Sequence, residues 1–120
     1  MKAKAIYLIE TRMKGRGLLH SLRVGDALTG TAAVVGYLHD AVEDGFATLE
    51  ELEQLFGKDV ARGVDAVTRR DGEVYADFVE RAAQDPLGRA VKRADLLDNL
   101  RDLPDGHSLE KRYRKALERV

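Results

Sequence analysis

Ala32-Ala33-Val34-Val35-Gly36-Tyr37-Leu38-His39-Asp40-Ala41-Val42-Glu43-Asp44-Gly45 is the stretch on which the reading of this sequence turns. From Ala32 to Leu38 it is apolar nearly all round, the mark of a helix buried on every side. The spacing predicts a central helix over Ala32 to Val42, with Thr31 as N-cap after the interruption Thr29-Gly30-Thr31, and Gly45 as its C-terminal glycine. Directly behind the apolar run, one imidazole and three carboxylates fall within six residues, His39 to Asp44. On a continuing helix His39 and Glu43 would share a face, with Asp40 and Asp44 on a neighbouring one. Carboxylates at the end of a buried helix are costly unless a cation meets them, and a divalent metal ion is the economical choice. The plain alternative, in which His39 caps the helix and the acids are solvated, stays open on these residues alone.

Outward from this stretch everything reads as helix. Ala3 to Arg12 offers Ile6, Leu8 and Ile9 to a core, and Lys14-Gly15-Arg16-Gly17 breaks it. Leu18 to Leu28 follows, with Leu18, Leu22 and Leu28 turned inward. Thr48-Leu49-Glu50-Glu51 is a capping box that opens a short helix ending at Phe56-Gly57. Asp59 can cap the next helix, where Val60, Val64 and Val67 share a face. After the loop Arg69 to Gly72, Val74 to Ala83 turns Val74, Phe78 and Ala82 inward. Asp85-Pro86 pairs an N-cap with a first-turn proline, starting a helix to about Asp102 that should bury Leu87, Val91, Ala94, Leu97 and Leu100. Leu103 to Gly106 stops it, and Ser108 opens a last helix. No segment alternates like a strand between hairpin turns. The expectation is an all-α, single-domain helical bundle over residues 1–120, with seven or eight helices.

At 120 residues the chain fits one domain, and at 44% hydrophobic it can bury a modest core. A net charge of −1 argues against a broad nucleic-acid footprint. The absence of cysteine excludes disulfides, thiolate metal sites and a cysteine nucleophile. No apolar run approaches the length of a membrane span, and no signal-peptide region is evident, which suits a cytoplasmic protein. Nothing indicates a homo-oligomer. Charge is uneven along the chain: Lys2 to Arg23 is basic and Asp40 to Asp59 acidic. A basic segment folded over an acidic metal centre would suit a small phosphorylated ligand; two solvated faces of opposite sign fit the composition equally well.

Three further segments hold residues able to complete a metal site. His20 lies on the second helix. Asp95 lies on the helix after Pro86, with Lys92 one turn before it and Asn99 one turn after, a polar stripe on an otherwise apolar helix. His20, His39, Asp40 and Asp95 would offer two nitrogens and two oxygens, a set suited to manganese, iron, magnesium or zinc with positions left for water and substrate.

The order His, then His-Asp, then Asp resembles the HD-superfamily metal-dependent phosphohydrolases. More narrowly, His39-Asp40-Ala41-Val42-Glu43-Asp44 is similar to the His-Asp-x-x-Glu-Asp motif of the RelA/SpoT-type alarmone hydrolases. Leu55 to Val60, then Val64 to Thr68, resembles the stretch that follows that motif. Lys92 to Leu100 resembles the family's Lys-x-x-Asp-x-x-x-Asn block, and His20-Ser21-Leu22-Arg23-Val24 its first histidine segment. The likeness covers roughly residues 18 to 104. It implies that His20, His39, Asp40 and Asp95 bind a metal, usually manganese. It implies that Glu43 and Asp44 manage the attacking water and the leaving-group proton, and that Lys92 and Asn99 fix the substrate or the site. The implied activity is release of pyrophosphate from a guanosine alarmone. Another HD-type nucleotide phosphatase or pyrophosphatase, or a nucleotide-binding module without turnover, are the other readings.

Glu10-Thr11-Arg12-Met13-Lys14-Gly15-Arg16 stands where the family carries a nucleotide-contacting His-x-Gly-Gln-x-Arg-type stretch, and Gly45 stands where it has threonine. Arg12, Lys14, Arg16 and Arg23 are the candidates for steadying a departing diphosphate, although Arg12, Lys14 and Arg16 suit a solvated loop as well. His107 reads as a surface residue. Tyr7, Tyr37 and Tyr75 read as core or core edge.

Overall fold

The computed structural model describes residues 1–120 as eight α-helices joined by short turns, without a strand. They are α1 (Lys2–Arg12), α2 (Gly15–Asp26), α3 (Gly30–Leu38), α4 (Leu49–Phe56), α5 (Lys58–Ala66), α6 (Tyr75–Gln84), α7 (Pro86–Arg101) and α8 (Ser108–Leu117). No helix is long and apolar enough to cross a membrane.

α3 is the axis of the bundle. It packs against α1, α2, α5 and α7, and every residue from Ala33 to Leu38 is buried. The main core forms around it from Ile9, Val24, Val35, Leu38, Val64 and Val91, among others. Burying each such side chain is worth roughly 1.5–3 kcal/mol. A smaller cluster of Val79, Leu96 and Ala116 ties α8 to α6 and α7.

α2 and α3 run antiparallel and almost touch. A Cβ on Gly36 would lie 3.0 Å from Gly25 Cα, and one on Gly25 would overlap the Tyr37 ring. Two glycines at the crossing therefore let the backbones approach to a distance that no larger pair permits. His20 lies five residues before this crossing on α2 and His39 three residues after it on α3, so the close approach carries the two imidazoles to the same end of the pair.

Several capping expectations reappear as bonds. Thr48 Oγ1 accepts from the Glu51 N–H at 3.1 Å, and Asp85 Oδ1 accepts from the Leu87 and Gly88 N–H groups. Others need correction. α2 begins at Gly15, so only Met13 and Lys14 separate it from α1, and Arg16 is helical. α3 takes Thr29, not Thr31, as N-cap, and α5 takes Gly57, which leaves Asp59 in the first turn paired with Arg62. Val74 and Leu97 are exposed, because α6 starts one residue later and α7 turns Lys92 and Asp95 inward in place of Leu97.

The central helix also ends early. Regular α-helix stops at Leu38, and His39 to Gly45 form a run of turns closed by Gly45 at φ +81°. The Gly36 carbonyl, which would accept from Asp40 in a continuing helix, instead takes the His39 ring Nδ1 at 2.7 Å. His39 and Glu43 consequently do not share one helix face.

Candidate active site

Three helices meet at this turn. α2 contributes His20, the end of α3 contributes His39 and Asp40, and α7 contributes Lys92, Asp95, Asp98 and Asn99. His20 Nε2 lies 2.8 Å from Asp95 Oδ1 and 3.2 Å from His39 Nε2; His39 Nε2 lies 3.3 Å from Asp95 Oδ1. Asp40 Oδ2 stands 3.3 Å from His39 Nε2 and 3.8 Å from His20 Nε2. His20, His39 and Asp95 form the tight triad, and Asp40 closes the fourth side at slightly longer range.

The other nitrogen of each ring decides what this convergence means. His39 Nδ1 faces the Gly36 carbonyl, and His20 Nδ1 lies 2.6 Å from Asp98 Oδ2. A carbonyl and a carboxylate only accept, so each Nδ1 must carry a hydrogen. In the neutral rings both Nε2 atoms then present lone pairs, and these point at carboxylate oxygens that present lone pairs too. Four electron-rich atoms thus converge with no donor among them. An added proton or a metal ion resolves that, and with Asp95 held well below its usual range the proton goes to an imidazole.

The protonation energetics carry the same signature. Burial opposes a charged His39, but Asp40 and Asp95 outweigh it and push the ring up to about 9. His20 is raised likewise, burial being overcome by Asp95 and Asp98. Asp95, though buried, is held well below the usual carboxylate range by the two imidazoles and Lys92. Two histidines and two aspartates with the Nδ1 positions tied back make a donor set that fits a hard or borderline divalent ion.

The surrounding contacts sort the remaining candidates. Lys92 Nζ is buried and bonds Asp95 Oδ2 at 3.0 Å, and Asn99 Nδ2 bonds Asp95 Oδ1 at 3.3 Å. Asp44 is raised by burial first and then by Asp40 and Glu43, so its carboxyl belongs to the field of the cluster. Glu43 is spoken for: its Oε1 accepts from the Arg69 N–H at 2.8 Å, latching the α5–α6 loop to the His39–Gly45 turn.

The four basic candidates part company. Arg12 makes two bonds to Glu51, at 2.6 and 2.8 Å, and one to the Phe46 carbonyl, so it is a strut between α1 and α4. Arg23 grips Asp98 through Nε and Nη2, at 2.7 and 3.0 Å, which makes it a support for the residue that orients His20. Lys14 is an exposed N-cap without a side-chain bond. Arg16 lines a groove of about 450 Å³ together with His20, Asn99 and Asp98, and its guanidinium has no carboxylate partner there. Of the four, Arg16 alone is at the site and uncommitted.

Asp98 was not singled out by sequence reasoning. Its signal was available: it lies three residues after Asp95, hence on the same helical face. Tyr37 takes the core position expected of it and Tyr75 is half-buried at the core edge, whereas Tyr7 is exposed on α1 and does not join the core. Tyr37 is buried and donates to Asp26, its phenol pushed up to about 12 by burial and then by that carboxylate. His107 is exposed and caps α8, accepting from the Leu109 N–H at 3.1 Å.

No protein-family model matches the chain. It is 37% identical over 116 residues to a GTP pyrophosphokinase of Myxococcus xanthus, covering 85% of this chain and 15% of that protein. It is 40% identical over 105 residues to the guanosine-3′,5′-bis(diphosphate) 3′-pyrophosphohydrolase MESH1 of Danio rerio, covering 80% of this chain and 57% of that protein. Among solved structures it matches a metazoan ortholog of SpoT that hydrolyzes ppGpp and plays a role in starvation responses. That match has a TM-score of 0.76 at 26% identity, over 99% of this chain and 82% of the other.

Proposed function

We propose, from its similarity to the SpoT-like guanosine-3′,5′-bis(diphosphate) 3′-pyrophosphohydrolases and the helical fold it shares with one of them, that the chain hydrolyses the 3′-diphosphate of (p)ppGpp. The observation that carries the reading is the convergence of His20, His39, Asp40 and Asp95 with both Nδ1 atoms tied back. These four residues would hold a divalent ion, manganese being the one the family resemblance favours. When bound, such an ion supplies Lewis acidity toward water and a phosphate oxygen.

The chain's own residues do the rest. Asp44, made more basic by burial and its acidic neighbours, is the group placed to take a proton from the attacking water. The water oxygen bonds to the ribose-proximal phosphorus, the P–O3′ bond breaks, and the ribose oxygen leaves with a proton while pyrophosphate departs. Lys92 stays charged because Asp95 outweighs its burial, so it neutralises charge beside the reacting phosphorus. Asn99 steadies Asp95, and Arg16 at the groove mouth is placed to meet a second phosphate. Glu43 acts at one remove, by holding the turn that carries Asp44.

The Arg12 strut favours a second reading: with that guanidinium committed to Glu51, the chain lacks one basic contact to a nucleotide base. A smaller or different nucleotide could then be the substrate of the same chemistry. Incubation with manganese and (p)ppGpp, followed by product identification, separates the two. Pyrophosphate release is expected; orthophosphate from nucleoside monophosphates, with no pyrophosphate from (p)ppGpp, would select the second reading.

A further inference from the structure

Beside the cluster, on the side of Lys92, lies an arrangement that the hydrolytic residues leave unexplained. Tyr75, the first residue of α6, has a buried hydroxyl with no hydrogen-bond partner. Three cations surround its ring: Arg112 Cζ at 3.8 Å from the centroid, Arg69 Cζ at 5.5 Å and Lys92 Nζ at 5.5 Å. Lys92 bonds Asp95, and the Arg69 N–H bonds Glu43. The ring therefore adjoins both the metal-ligand helix and the turn that carries the acids.

Five arginines, Arg16, Arg69, Arg89, Arg93 and Arg112, have no side-chain carboxylate partner, and of these Arg69 and Arg112 alone flank an aromatic ring. Arg12, Arg23, Arg70 and Arg81 each have a carboxylate partner, in Glu51, Asp98, Asp65 and Glu73. Arg69 and Arg112 have none; the Arg69 Nε donates only to the Glu73 carbonyl. Lys92 already has its anion in Asp95, whereas the two guanidiniums beside the same ring have no carboxylate partner and repel each other until an anion joins them. Stacking on the ring occupies the guanidinium face and leaves its in-plane N–H groups free. A phenol that burial keeps protonated adds one more donor.

We propose that Arg69, Arg112 and the Tyr75 hydroxyl form an anion subsite that holds the outer phosphate of the departing diphosphate. The assignment rests on the pyrophosphohydrolase reading for the identity of the ligand. It places the diphosphate clamp on the α5–α6 loop and on α8, not on the Arg12 to Arg23 segment. α8 thereby gains a function beyond closing the small core.

The test is calorimetric titration of inorganic pyrophosphate into the manganese-loaded protein, which involves no turnover. Arg69→Gln and Arg112→Gln should each weaken binding roughly 10-fold or more, as for a lost charge-assisted bond. Lys111→Gln, the same charge change one residue away on α8, should bind as the parent does. Tyr75→Phe should weaken binding several-fold, and the melting temperature of its ligand-free form should hold or rise, since the hydroxyl has no partner to lose. Arg112→Lys keeps the charge and should recover part of the affinity, so a folding defect in the glutamine variant would be exposed. Pyrophosphate binding within twofold of the parent in both arginine variants overturns the subsite. A fall in the melting temperature of ligand-free Tyr75→Phe overturns the role of the hydroxyl. If the parent binds pyrophosphate but releases none from (p)ppGpp, the hydrolase reading fails while the subsite stands.

Discussion

Holding the protein metal-free and raising the pH should destabilise it, by an amount the geometry fixes. Without an ion, the four converging atoms are reconciled by protons on the imidazoles, above all on His39, which is buried and pushed from 6.5 to about 9. A histidine raised on folding contributes stability that is fully present below its unfolded value and is lost as pH climbs through its folded value. The window is therefore 6.5 to about 9. At about 1.4 kcal/mol per pH unit, the rise amounts to about 3 kcal/mol, a large share of a small domain's stability. His20, also raised, acts in the same direction. Asp95 acts at the acid end: its stabilisation is present above the unfolded carboxyl value and is lost as pH falls toward its depressed folded value, so it stays constant across this window.

The assay is equilibrium urea unfolding in excess chelator at pH 6, 7.5 and 9 and fixed ionic strength, on the parent and on His39→Gln. The parent should lose most of the 3 kcal/mol between pH 6 and 9, and the variant should show a shallower slope. With manganese present the dependence should invert, because the ion must displace those protons. Its apparent affinity should climb roughly 10-fold per pH unit for each proton released. A metal-free protein whose stability is flat or rising from pH 6.5 to 9 would refute the lone-pair argument.

Three further outcomes follow from single contacts. Asp98→Asn should weaken manganese binding on the order of 10- to 100-fold by calorimetry, because a neutral amide, with a donor where a carboxylate oxygen stood, holds His20 and its tautomer less firmly, and Arg23→Gln should act in the same direction but less. Asp44→Asn should keep its metal content and lose turnover on the order of 10²-fold or more, whereas Glu43→Gln, whose amide oxygen can still accept from Arg69, should lose far less; equal losses would return Glu43 to the chemistry. Gly25→Ala should cost roughly 1–3 kcal/mol or more in urea unfolding, since its Cβ meets the buried Tyr37 ring, and a variant as stable as the parent would contradict the close α2–α3 crossing.

Helical class and element order were legible because they rest on local signals. The apolar run Ala33 to Leu38, the Thr48 cap and the Asp85-Pro86 start each act within a few residues and appear in the fold, although the Glu51 half of the Thr48 box goes to Arg12 instead. Errors came where tertiary contacts overrule local ones. Leu97 has the spacing of a core residue, yet the face it would share is turned away so that Lys92 and Asp95 can enter. The end of α3 was misread because the His39 ring captures the Gly36 carbonyl, a side-chain bond that periodicity does not register.

The same distinction separates the residues that would face an ion from those that support them. Residue type and order bring His20, His39, Asp40 and Asp95 to notice, since few other combinations satisfy a divalent cation. Charge sign alone says much less about what an arginine does. Arg12 and Arg23 look as free in sequence as Arg69 and Arg112, yet the first two are bound to Glu51 and Asp98, 39 and 75 residues away. The last two lie against the Tyr75 ring, and their guanidiniums hold no carboxylate. What distinguishes a clamp from a strut is the carboxylate it already holds, and that partner is chosen by the packing of helices distant in sequence. In this bundle acidic residues of α4 and α7 take up Arg12 and Arg23, while Arg16 at the groove and Arg69 and Arg112 beside Tyr75 keep guanidiniums without a carboxylate, the charge that the proposed anion subsite draws on.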